Sequence, residues 1–379
     1  RTWVSDQIRR PNRQGDDLVH LAIHRGHLLE GLCVGLDHKA EVLRHGIDVR
    51  FTGDGENGLG DGHRREFFRL AATEFMNPDC GLFVSQDGGR TYHVSGTAAE
   101  AQPDHIAQFE LCGKFIGLAL LHRETLPTMR LTPALRKVLL GSSPLIMEDM
   151  AAVDPAFYTR KVLYLLNSEY EKEAPPVALA DLELTFEDAP QPDVFPDVKH
   201  ELCPGGAMKA VTEDNKQLYL NLLCDHRLWG LVRPQLEALL RGFHALVNED
   251  IRQRIQRMIT PAEFDLLLCG LVHLDVEEWR ANSIRHADTA TETWESFWKV
   301  VASFSQKQRS ELLEFVTGSS TLPVGGFAML PGYGGPGSLA KFTVGPPRRG
   351  RLPTASTCFN TVYMPLYRTM EEMRSAVLE

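Results

Sequence analysis

Apolar and polar positions alternate at the start of the patterned chain, with Leu18, Val19, Leu21 and Ile23 interleaved with His20 and Ala22. That two-residue period predicts a half-buried strand over 18–23 that runs into a helix. Residues 47–68 read as a strand, a loop with glycines at 53, 55, 58, 60 and 62, and a helix. Residues 109–121 are almost continuously apolar and predict a fully buried helix, with Gly113 and Gly117 allowing close helix contact. From Pro144 to about Arg227 prolines cluster, apolar density falls and acids accumulate. A helix around 157–166, a strand at 182–186 and a helix opened by Thr212 are expected there. Dense helix returns over 228–269, where Thr260, Pro261 and Glu263 form a capping-box pattern and Gly270 supplies the stop. Trp294, Phe297, Trp298, Val301 and Phe304 recur at helical spacing as core, and Ser305 with Gln308 caps a helix ending at Gly318. Gly- and Pro-rich loops over 325–349 surround one strand at 340–344, and an apolar run at 359–364 stops at Pro365.

A chain of 379 residues has room for two or three units of about 100–150 residues each. The net charge of −10 argues against nucleic acid as a partner, because phosphate neutralisation needs a surplus of Lys and Arg. No apolar run reaches the ~20 residues of a membrane span, and no secretory signal opens the chain. The start at Arg1 and stop at Glu379 suggest a piece of a longer protein. Seven irregularly spaced cysteines fit reduced thiols in a cytoplasmic protein better than a disulfide framework. Pairs such as Cys224/His226 and Cys269/His273 lack a second ligand pair, so no metal and no cofactor is expected.

Six of those cysteines are expected to be small buried hydrophobes. Cys358 differs in its flanks. Leu352, Pro353, Thr354, Ala355, Ser356 and Thr357 form a polar loop that leaves the sulfur open, and Phe359 and Asn360 follow directly. Arg348, Arg349 and Arg351 stand upstream as either a solvated basic loop or a field favouring thiolate. The residues alone leave a reactive and an inert thiol about equally open.

The run Leu352, Pro353, Thr357, Cys358, Phe359, Asn360 resembles the active-site signature of HECT-type ubiquitin ligases. The resemblance is collinear from Leu18 onward, through 58–68, 77–83, 109–120, 201–216, 264–275 and 315–327. It implies an α+β, bilobal fold. A mostly helical first lobe would occupy 18–270, after an N-terminal extension at 1–17, and would include a partner-docking subdomain at about 145–228. A smaller α/β lobe at 274–379 would carry Cys358. Gly270, Leu271, Val272 and His273 would form the hinge. It further implies that Cys358 accepts ubiquitin from a ubiquitin-conjugating enzyme as a thioester and passes it to protein substrates. Tyr219 falls on the family's aromatic contact to the conjugating enzyme, with Phe157 and Leu223 as further contacts. Arg65 and Glu66 are expected to form a structural ion pair.

Three departures stand out. Ser356 occupies the position where many members carry histidine, Asp79 and Cys80 replace the aromatic residues of a ubiquitin exosite, and the family's C-terminal phenylalanine is missing from 1–379. A cysteine protease, including a deubiquitinase, which would need a histidine on the thiol and an orienting Asn or Asp, and an inert ligase-like scaffold are the competing readings.

Overall fold

The computed structural model describes residues 18–36, 40–52, 61–173, 175, 177–188, 200–271, 273–323, 325–332 and 338–379. The N-terminal extension, the glycine loop at 53–60 and Val272 lie outside the described residues.

In chain order, β1 (Val19–His24) buries every second residue and pairs in parallel with β2 (Ile47–Thr52). Helix α1 (Asp61–Phe75) turns Phe67, Phe68, Ala71, Ala72 and Phe75 inward, a stripe set by the 3.6-residue repeat. A short antiparallel pair, β3 (Phe83–Val84) and β4 (His93–Val94), precedes α2 (His105–His122). Helix α3 (Pro133–Leu140) starts with Thr132 at its N-cap and proline in the first turn. The helix expected around 157–166 is one helical run, Pro155–Phe157, a π-turn Tyr158–Leu163, and Tyr164–Leu166. The strand expected at 182–186 is a 3₁₀ turn, Leu179–Leu182, followed by Glu183 at φ +47°. A left-handed residue there breaks the extended run, leaving a single antiparallel bridge, Thr185 to Ala210, before the two-residue β5 (Glu187–Asp188) pairs with β6 (His200–Glu201). Helix α4 (Lys216–Asp225) begins four residues after Thr212, because the Asn215 side chain accepts the Thr212 N–H and holds that turn open. Next come α5 (Arg233–Leu246) and α6 (Pro261–Cys269), the latter capped reciprocally by Thr260 and Glu263 and ended at Gly270, φ +82°. After β7 (Ser283–Arg285) follow α7 (Thr291–Ala302) and α8 (Gln306–Thr317), the latter running from its Ser305/Gln308 box to a left-handed Gly318. The last stretch holds β8 (Phe342–Gly345), β9 (Thr354–Ser356), β10 (Thr361–Tyr363) and α9 (Met370–Leu378).

The described residues divide into two compact units. The first takes residues 1–74, 116–128 and 265–379. Its four-stranded sheet runs β7–β8–β10–β9, with β10 parallel to β8 and antiparallel to β9. Under that sheet the Trp279 ring stacks on Phe327 at 4.8 Å and meets Phe342 edge-on at 5.1 Å. Phe297, Trp298 and Val301 of α7 close the same core, as the aromatic stripe predicted.

The second unit takes 75–115 and 129–264. Its core gathers Phe157, Tyr170, Phe186, Tyr219, Leu220 and Leu223. Helices α2 and α5 cross at two glycines. A Cβ on Gly113 would strike the Leu239 carbonyl and come within 2.6 Å of the Phe243 nitrogen. One on Gly242 would strike the Glu110 carbonyl and come within 2.9 Å of the Lys114 nitrogen. The crossing is therefore backbone against backbone.

None of the seven cysteines forms a disulfide. Cys80, Cys112, Cys224 and Cys269 are buried as expected, whereas Cys33 is exposed, on a helix that buries Leu28 and Leu32 instead, and Cys203 is half-buried. Among the described residues no helix is long and apolar enough to cross a membrane, and no three metal-ligating side chains converge.

Candidate active site

Strands β9 and β10 pair through Thr354↔Tyr363, Ala355↔Val362 and Ser356↔Thr361. The four residues joining them therefore form a tight connection: one 3₁₀ turn, Thr357–Phe359, and then Asn360. Cys358 lies in the middle of that turn and is half-buried, with the Phe359 ring 56% exposed beside it. Leu352 is also exposed, while Pro353, Ser356 and Thr357 are partly covered. The loop thus carries a half-buried thiol and two outward apolar side chains, Leu352 and Phe359.

What fixes the turn is mostly Asn360. It takes a left-handed backbone, φ +48°, a conformation that asparagine adopts more readily than most residues. Its side chain is fully buried, and its amide nitrogen donates to the carbonyls of Pro331 (2.9 Å) and Ala340 (2.8 Å). Its carbonyl accepts from the Thr343 N–H of β8 at 2.9 Å.

The other side of the cysteine is held by a residue that the sequence reading assigned to an ion pair. Glu66 forms its pair with Arg25, through both carboxylate oxygens (2.5 and 3.1 Å), and not with Arg65. Successive helix residues point about 100° apart, so neighbours on α1 do not face each other. Buried Arg65 instead donates to three main-chain carbonyls: Thr317 at 2.9 Å, Pro331 at 2.9 Å, and Thr357, directly before the cysteine, at 3.3 Å. No local signal marks this role, because the acceptors stand 252, 266 and 292 positions downstream.

Of the three cations upstream of Cys358, Arg348 lies over the Tyr363 ring at 3.3 Å, and Arg349 and Arg351 are exposed. Among the described residues none hydrogen-bonds the Cys358 thiol. His286 accepts from the Asp288 N–H in its own turn, and His273 is exposed.

The expected docking contacts need correction. Tyr219, Phe157 and Leu223 are all buried inside the second unit's core, so none presents a side chain to a partner. Tyr219 meets Phe186 edge-on at 5.5 Å, and burial pushes its hydroxyl up to about 12. Phe157 is covered by the Arg227 guanidinium at 3.9 Å, itself paired to buried Asp188. The reason is periodicity: positions 219, 220, 223 and 224 form the inner face of α4, and Leu218 lies on the outer one. At the expected hinge, Leu271 exchanges both backbone hydrogen bonds with Leu322 (2.8 and 3.0 Å), and Thr321 Oγ1 donates to the Cys269 carbonyl. At the position of the absent exosite aromatics, Asp79 is exposed and Cys80 points into the core.

Comparison with known proteins matches residues 69–378 to the HECT-domain (ubiquitin-transferase) family. The chain is 35% identical over 380 residues to the zebrafish (Danio rerio) E3 ubiquitin-protein ligase HACE1, and 34% identical over 382 residues to the human one. Each alignment covers 99% of this chain and 39% of the relative, so the chain spans about two fifths of those proteins. It is 32% identical over 372 residues to mouse E3 ubiquitin-protein ligase HUWE1, covering 97% of the chain and 8% of that protein. With the cysteine turn, the α+β fold and a family match over most of its length, the chain belongs to the HECT-domain (ubiquitin-transferase) family.

Proposed function

We propose that this chain is a ubiquitin ligase whose Cys358 accepts ubiquitin from a conjugating enzyme and hands it to substrate lysines. The observation that carries the reading is the placement of Cys358: half-exposed, on a turn anchored from both sides, in a chain of this family. The Cys358 thiolate attacks the thioester carbonyl, a new S–C bond forms, and the conjugating enzyme's thiolate leaves. Exchange of one thioester for another is nearly balanced and needs no proteolytic dyad. The absence of a histidine hydrogen-bonded to the thiol among the described residues favours this reading over a protease. A lysine then attacks the Cys358 thioester, loses a proton and forms the isopeptide as the thiolate leaves.

The conjugating enzyme is assigned to segment 145–228, now through its exposed apolar side chains Ile146, Met208 and Leu218 in place of the buried Tyr219. Lobes at 18–270 and 274–379 about a hinge at 270–273, a division distinct from the two compact units, and a cytoplasmic setting suited to seven reduced thiols complete the proposal.

The test is incubation with activating enzyme, conjugating enzyme, ATP and ubiquitin. A thiol-sensitive ubiquitin adduct is expected on the wild-type chain and not on Cys358→Ala. An adduct that survives the substitution, or cleavage of ubiquitin chains, would refute the assignment.

A further inference from the structure

On α1, Arg64, Glu66 and Arg69 each meet an opposite charge: Glu124 at 3.3 Å, Arg25, and Glu314 at 3.2 Å. Arg65 is the exception. Its side chain is buried, and its guanidinium spends its hydrogen bonds on neutral carbonyls of three separate segments. A buried cation without a carboxylate is costly unless dipoles surround it. Here one of them is the C-terminal end of α8, where the Thr317 carbonyl has no partner within the helix and the helix dipole is negative.

The other two acceptors define the cysteine turn. The Pro331 carbonyl receives both Arg65 Nη2 and Asn360 Nδ2, each at 2.9 Å. The Thr357 carbonyl receives Arg65 Nη1 and the Asn360 N–H, each at 3.3 Å. Arg65 and Asn360 thus meet at two shared carbonyls, one at the first residue of the turn that carries the thiol and one on the segment at Pro331. Removing the guanidinium would leave the residue before Cys358 tied only to its own turn.

We propose that Arg65 is a positioning residue for Cys358, holding the 357–360 turn so that the sulfur faces the incoming thioester. The inference rests on the reading of Cys358 as the acceptor thiol. It requires the planar fork of arginine, since one lysine ammonium cannot span three carbonyls. A loosened turn affects the rate at which bound donor reacts, because misplacement of a nucleophile by ~1 Å can cost up to 10²-fold.

The experiment measures single-turnover loading of ubiquitin from a charged conjugating enzyme, over a range of enzyme concentrations, for wild type, Arg65→Lys, Arg65→Gln and Cys358→Ala. Hydrogen exchange is followed at 354–361 and, as a control, at 19–24 and 47–52. Both Arg65 variants should load about tenfold or more slowly at saturation with an unchanged half-saturating concentration. Exchange should quicken at 354–361 and not at the control strands. Wild-type loading in Arg65→Lys, a loss residing wholly in half-saturation, or exchange that rises equally everywhere would overturn the proposal. Loading that persists in Cys358→Ala would instead refute the assignment of the acceptor thiol, so the two failures are distinguishable.

Discussion

Asn360 carries two separable burdens: a left-handed backbone and a pair of buried hydrogen bonds to Pro331 and Ala340. Asn360→Ala loses both bonds and leaves the Ala340 carbonyl without its donor, while Pro331 keeps only Arg65, so it should destabilise by roughly 2–4 kcal/mol. Asn360→Gly loses the same bonds without the left-handed penalty, and should recover about 1 kcal/mol of that in urea unfolding. An alanine variant as stable as the glycine one would show that the backbone conformation relaxes. Cys358 and its neighbours were legible because their chemistry is local: a polar loop, a thiol, an asparagine and a strand stopped by Pro365. Arg65 was not, since nothing within α1 reveals acceptors hundreds of residues away. Tyr219 was misread for the opposite reason. An aromatic side chain on an amphipathic helix carries the same sequence signal whether it anchors a partner or fills a core.

At the scale of elements, the capping patterns translated directly, because a cap is decided by residues three apart: Thr260 with Glu263, and Ser305 with Gln308. The α2–α5 crossing was only half visible. Gly113 announced close contact, but its counterpart Gly242 sits in an ordinary amphipathic pattern. Alanine at either position forces the backbones apart and should cost about 1–3 kcal/mol. The double variant should cost less than the sum, because the first methyl has already opened the crossing. Thermal unfolding of the three variants checks both statements; additive losses would separate the two glycines.

Strand β4 and helix α3 add a pH dependence. His93 is buried, its Nδ1 lies 2.8 Å from the Thr132 hydroxyl at the N-cap of α3, and burial lowers its pKa from 6.5 to about 4. Between those values acid protonates the unfolded chain but not the native one. The contribution is therefore complete above about pH 6.5 and is lost as the pH falls toward 4, by about 3 kcal/mol at this site. Urea unfolding at pH 7, 5.5 and 4 should show that slope in wild type and a shallower one in His93→Asn; equal slopes would place the titration elsewhere.

At the scale of the whole chain, each compact unit has its own core, and neither is continuous in sequence: the chain passes between them at 74/75, 115/116, 128/129 and 264/265. That interleaving was hidden from periodicity, which reports faces of single elements and not which distant elements share a core. The spread of Arg65's partners also governs biosynthesis. A nascent polypeptide exposes residue 65 long before the ribosome has decoded positions 317, 331 and 357. While residues 66–316 are being made the arginine has none of these acceptors, and a chain truncated before position 357 lacks at least one of them. The turn that carries Cys358 therefore cannot be fastened by Arg65 until synthesis has passed residue 357, a dependence written into connectivity.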